Sequence, residues 1–142
     1  LIVSGPDIAK GVSCDEPVST LDLSPTFLDY AQTEPQLRQH GNSLRPVLEN
    51  GEGREFALNE WELLPTRTGV ALSLQTVRTK HAKLTVDNLS GAGEMYLLDE
   101  DPNELTNQFD NPEYAELKTS LMAMIDSRPD DRREMQTQVG MA

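Results

Sequence analysis

Between Arg54 and Leu98, apolar side chains recur at every second residue in four runs, and no other feature narrows the fold as far. In Arg54 to Glu62, Phe56 and Leu58 alternate with Ala57 and Asn59; in Gly69 to Thr79, Val70, Leu72 and Leu74 alternate with Ala71, Ser73 and Gln75. Lys83 to Leu89 sets Leu84 and Val86 against Lys83, Thr85 and Asp87, and Gly93 to Leu98 supplies the fourth run. A period of two sends neighbouring side chains to opposite faces, so each run reads as a strand. Four strands on short connectors predict an antiparallel sheet with one face covered. The cover follows in sequence: from Asn111-Pro112 onward, Tyr114, Leu117, Leu121, Met124 and Ile125 recur at steps of three and four, which predicts an amphipathic helix ending at Arg128-Pro129. The expected class is α+β.

The first fifty residues carry a different pattern. Leu1 to Ser4 is a short apolar run stopped by Gly5-Pro6, and Ser24-Pro25 reads as an N-cap and first helical residue for a helix reaching Tyr30. Phe27, Leu28 and Ala31 share one face of that helix and are expected to pack inward. Gln32 to Asn42 is polar loop, and Ser43 caps a turn carrying Leu44, Val47 and Leu48. Asn50-Gly51-Glu52-Gly53 breaks the periodicity, giving expected units of residues 1–50, 51–129 and a flexible tail at 130–142.

Composition removes several functions. Asp and Glu total 24 against 12 Lys and Arg, a formal charge of −12, which repels phosphate backbones and anionic bilayers. No nucleic-acid or membrane partner is expected, and no apolar run approaches the ~20 residues of a spanning helix. A single cysteine makes no internal disulfide.

One run is lineage-specific: Glu94-Met95-Tyr96-Leu97-Leu98-Asp99-Glu100-Asp101-Pro102-Asn103-Glu104-Leu105-Thr106-Asn107. Locally it reads as a strand entering a helix start, with Asp101 as N-cap, Pro102 first in the helix and Glu104 closing a capping box. It also resembles the C-terminal signature of the sulfatase family, within the alkaline-phosphatase-like hydrolases, roughly E-L-Y-D-L-x-x-D-P-x-E-x-x-N-L. Leu1 to Pro6, Gly11-Val12, Val18 to Ala31 and Gly41 to Leu48 are similar, in order, to the stretch that follows the active-site lysine of that family. The resemblance covers residues 1–128 and departs at Asp7, Ala82, Leu97 and Gln108.

The resemblance implies that residues 1–50 are the C-terminal edge of an α/β catalytic domain and that the sheet with its helix is the small subdomain beside it. In the family, a hydrated formylglycine attacks the sulfur of a sulfate ester while calcium, Lys and His stabilise the charge. Those residues lie upstream of the position matching Leu1, so calcium and formylglycine are expected in the full-length enzyme and none in this chain. The implied partners are an upstream catalytic domain of the same protein and a sulfate-ester substrate, with self-association through an exposed edge as a further expectation. A related phosphonate monoester or phosphodiester hydrolase and a non-catalytic module are the other readings.

Candidate chemistry within the chain is sparse. Formylglycine forms in C-x-P-x-R, whereas Cys14 is followed by Glu16 and Val18 in those places, and no cation neighbours it in Ser13 to Pro17. Cys14 therefore reads as an ordinary loop residue. His40 and His81, the two histidines, lack metal-binding spacing. The carboxylates from Asp99 to Glu113 place Leu105 where a calcium loop needs oxygen and lack its central glycine. Trp61 and Arg67 are the candidate substrate-contacting residues, because loops on a rigid sheet collect binding groups; core packing of Trp61 and a solvated Arg67 are the competing reading. Arg78 and Lys83, flanking a hairpin turn, suit structural ion pairing as readily as sulfate recognition.

Overall fold

Residues 1–6, 8–63 and 69–129 are described by the structure, a computed structural model. The four alternating runs form strands β1 (Phe56–Leu63), β2 (Leu72–Thr79), β3 (Ala82–Asp87) and β4 (Gly93–Leu97), antiparallel and in sequential order across the sheet. The register lines up Leu58, Val77, Leu84 and Met95 across all four strands on one face. Helices α1 (Leu23–Tyr30) and α2 (Arg45–Asn50) precede the sheet, and α3 (Ala115–Asp126) covers it. Leu121 and Ile125 of α3 bury themselves against Val77, Leu84 and Met95, all of which are closed to solvent. Each such side chain contributes about 1.5–3 kcal/mol by leaving water. The cover is thus the helix that the steps of three and four predict. It is preceded by a 3-10 turn, Pro112–Tyr114, capped by the Asn111 side chain, which accepts from the Glu113 N–H.

The face that α3 takes on β2 is not the one its leucines suggest. Gln75 and Val77 are the buried pair, while Leu72 and Leu74 lie on the opposite face, half-buried, with Leu74 facing Trp61 of β1. Alternation defines two faces; cross-strand register decides which of them meets the helix.

Three local expectations are corrected. Leu1–Ser4 forms no strand, since no described strand lies beside it to complete its hydrogen bonds. The first helix begins earlier than Ser24: a 3-10 turn, Thr20–Asp22, runs into α1, and its cap is Ser19, whose side chain accepts from Leu21 N–H while its own N–H donates to Asp22 at 2.6 Å. Phe27 and Ala31 point outward, Phe27 being 68% exposed, and Thr26 is the buried residue of α1. Third, Asp101-Pro102-Asn103-Glu104 is a turn and not a helix start. Asp101 accepts from the N–H groups of Leu105 and Thr106, both at 2.8 Å, and Glu104 sits at φ +57° with its carboxylate turned onto Arg78 and Lys83. Asp followed by Pro favours a turn as much as a helix, and the cations on neighbouring strands decide the matter.

What the rest of that run does is seal an edge. Asn107 Oδ1 accepts from Met95 N–H at 3.0 Å, its Nδ2 donates to Gly93 C=O at 3.1 Å, and Gln108 N–H donates to Met95 C=O at 2.7 Å. Side chain and backbone together cover the Gly93–Met95 part of the β4 edge in place of a fifth strand. Asn107→Ala is expected to destabilise the chain by about 1–3 kcal/mol by stripping Met95 N–H of its acceptor. Urea denaturation checks this, and a loss below experimental error would count against the edge-sealing role.

Asp87 ties β3 to the following turn and to β2. Its carboxylate accepts from Ser90 Oγ at 2.5 Å and from the N–H groups of Ser73, Leu89 and Ser90. These bonds, the Ser90 hydroxyl first, hold its pKa below the ordinary 3.8 against the opposing effect of burial. Because the folded value is the lower one, the carboxylate supports the fold above about pH 4 and that support is lost as pH falls through this value and then the folded one. Denaturation midpoints at pH 7 and pH 3 should differ less in Asp87→Asn than in the parent chain.

Candidate functional site

The sheet face away from α3 carries Trp61 and Leu74 toward one end and Arg78, Lys83 and Tyr96 toward the other. Trp61 stands near the end of β1 and is 50% exposed, so the core-packing reading of it does not hold. Arg67 lies outside the described residues. Arg78 and Lys83 converge on Glu104, Arg78 at 3.4 Å, and Lys83 Nζ sits 5.8 Å from the centre of the Tyr96 ring. Both cations therefore neutralise the signature turn. Burial pushes the Tyr96 phenol above its ordinary value of 10.0, and the charge of Glu94 adds to the shift, so this ring stays protonated across the physiological range.

Cys14 is exposed, and His81 Nδ1 pairs with Asp99 at 2.8 Å on the surface. Among the described residues no three His, Cys, Asp or Glu side chains gather so as to hold a metal ion. The described residues therefore do not fit a calcium site, and Cys14 does not sit in the setting that formylglycine formation requires.

Sequence reading missed a buried carboxylate with four donors. Asp22 is wholly buried and accepts from Ser19 N–H at 2.6 Å, Asn42 N–H at 2.9 Å and both terminal nitrogens of Arg54, at 3.1 and 2.6 Å. Ser19-Thr20-Leu21-Asp22 is a capping-box spacing, which was the available signal. Nearby, Thr26 Oγ1 donates to Asp22 C=O and accepts from Leu44 N–H, and Asp29 accepts from Ser43 Oγ and Arg45. The Ser43 hydroxyl, then Arg45, holds the Asp29 pKa below its usual range. A groove of about 760 Å³ runs beside this cluster, lined in part by Asp22, His40, Asn42, Leu58, Gln75 and Arg128.

The chain is an α+β unit in which one face of a four-stranded antiparallel sheet is covered by α3. The profile of the N-sulphoglucosamine sulphohydrolase C-terminal family matches residues 1–131, and the chain belongs to that family, a C-terminal portion of the sulfatases. It is 33% identical over 133 residues to the N-acetylglucosamine-6-O-sulfatase of Bacteroides thetaiotaomicron, a span of 89% of this chain and 24% of that protein. Among solved structures, one in complex with its substrate D-glucosamine-2-N,6-O-disulfate superposes with a TM-score of 0.63 at 31% identity, over 79% of this chain and 25% of the other. The phosphonate monoester hydrolase of Agrobacterium radiobacter superposes with a TM-score of 0.63 at 26% identity, over 75% and 23%. The chain spans about a quarter of the length of these relatives. No described helix is long and apolar enough to cross a membrane.

Proposed function

We propose that this chain supports the hydrolysis of sulfate esters on amino sugars by a catalytic domain of the same polypeptide. The observation that carries the reading is the family match over residues 1–131, joined to 33% identity with an N-acetylglucosamine-6-O-sulfatase. In this reading residues 1–50 complete the edge of the catalytic α/β domain and residues 51–129 form the subdomain beside it; 130–142 lies outside the described residues. The apolar surface of the first part, with Ile2 97% and Phe27 68% exposed, is the face that the catalytic domain covers. Formylglycine and calcium belong to that domain, where they supply the nucleophile and offset the charge on the transferred sulfuryl group. Trp61 and Arg67 contact the non-reacting part of the sugar.

The test joins the chain to its catalytic domain and measures release of sulfate from N-acetylglucosamine 6-sulfate. Faster cleavage of a phosphonate monoester would instead favour the second reading, which the Agrobacterium likeness supports. In the joined protein Trp61→Ala is expected to raise KM roughly 3–10-fold with kcat nearly unchanged, as for a residue that binds ground state and transition state alike. The chain by itself is expected to show no turnover of an aryl sulfate with added calcium; turnover abolished by Cys14→Ala would overturn the proposal.

A further inference from the structure

We infer that Asp22 and Arg54 are a positioning pair: one buried carboxylate sets where the first fifty residues sit on the sheet. Among the described residues, the apolar members of the core cluster all lie between Phe56 and Ile125, whereas Pro17 and Leu44 of the first segment are buried outside it. The hydrophobic effect that folds the sheet therefore does little to place the segment before it. What places it is polar and directional. Asp22 collects donors from three separate stretches of chain: Ser19 of its own turn, Asn42 of the following loop, and Arg54 just ahead of β1. Arg54 reaches back in the same direction, its Nε donating to Pro17 C=O at 3.3 Å. The geometry is a fork on a fork, two nitrogens on two oxygens, which fixes orientation as well as distance.

A second link between segment and sheet is of a different kind. Glu16 and Lys80 pair at 3.1 Å with the Lys80 side chain 48% exposed, and the Glu16 carboxylate, hydrogen bond first, raises the Lys80 pKa. Pairs this exposed contribute little and are screened by salt. The Asp22 side chain is 1% exposed, so its donors cannot be replaced by water without opening the joint. Among the described residues, the Asp22–Arg54 pair is thus a buried, directional link and the Glu16–Lys80 pair an exposed one.

The consequence is pre-organisation. With the buried link closed, Leu21 and Phe27 of the turn and α1 are presented at a fixed angle to β1, ready to receive the rest of the polypeptide. That last clause rests on the function proposed above; the link itself does not, and its test uses the 142-residue chain alone.

The chain offers its own reporters, since it contains one Trp, on β1, and one Cys, in the segment before Asp22. An acceptor dye on Cys14 reads the distance from Trp61 by energy transfer, and hydrogen exchange reads each amide. In Asp22→Asn and in Arg54→Met, exchange at Ser19, Asn42 and Leu44 is expected to quicken at least about tenfold, with Leu84 and Met95 unchanged. Transfer from Trp61 should spread over a wider range of distances. Glu16→Gln should move neither reading. If Asp22→Asn does not fold, Arg54→Lys keeps the charge, loses the fork and is expected to show the same pattern at smaller size. Three results would overturn the inference: unchanged exchange at Asn42 in the variants, equal acceleration at Leu84 and Asn42, or a Glu16→Gln effect as large as that of Arg54→Met. A sulfatase reading that failed in the joined protein would leave all of these measurements standing.

Discussion

Leu84→Ala is expected to destabilise the chain by about 2–5 kcal/mol, the range for truncating a fully buried leucine in a core that relaxes only in part. Leu84 is closed to solvent at the centre of the sheet, between Val77 on β2 and Met95 on β4, with Leu121 of α3 in the same cluster. Met95 and the other members of the cluster are themselves packed, so the space left behind is filled only in part. Against the 5–15 kcal/mol that holds a typical domain, such a loss takes much of the stability. Leu74→Ala is the contrast: the residue is half-buried on the face away from α3, and its loss should be the smaller by at least about 1 kcal/mol. Urea titration followed by Trp61 fluorescence measures both. Equal losses at the two positions would mean that α3 does not define the core face.

The sheet was legible because its signal is carried by many residues at once. Each predicted run holds its strand to within a few residues, and the helix stripe from Leu117 to Ile125 emerges where the steps of three and four place it. The failures share a cause: each turns on a single contact between residues far apart in sequence. Asp101-Pro102 carries the local marks of a helix start, yet the segment is a turn in which Asp101 accepts from Leu105 and Thr106 while Glu104, in the left-handed region, meets Arg78 and Lys83 from distant strands. Phe27 obeys helical periodicity, yet the inward side of α1 belongs to Thr26, because Asp22 C=O and Leu44 N–H converge on its hydroxyl. A periodic apolar residue tells which side of a helix is greasy, not whether anything covers it. Of the candidate residues, Trp61 reads in the sequence as a Trp with an Arg nearby on a loop, whereas the structure sets it in β1, half-exposed. Asp22 was not singled out, since a buried carboxylate is recognisable only from the donors around it.

Gly41→Ala is expected to release the loop from Gly41 to Leu44 at a cost of about 2–4 kcal/mol in local stability, the sum of overpacking and the loss of a hydrogen bond to a charged group. A Cβ at Gly41 would stand 2.1 Å from the Leu21 carbonyl oxygen and 2.9 Å from the Asp22 nitrogen, both backbone atoms that no rotamer change can move aside. Relief requires the loop to retreat, and retreat pulls Asn42 N–H off Asp22 Oδ1, now 2.9 Å away. Gly51→Ala separates this steric effect from ordinary glycine preference: Gly51 ends α2 at φ +72° with open space around its would-be Cβ, so alanine there meets conformational strain of roughly 1 kcal/mol and nothing else. Exchange at Asn42 and Leu44 should therefore accelerate strongly in Gly41→Ala and little in Gly51→Ala, with Met95 steady in both. If Gly41→Ala left the Asn42 amide as protected as before, the close approach of loop and turn would be wrong, and with it the placement of the first fifty residues on the sheet.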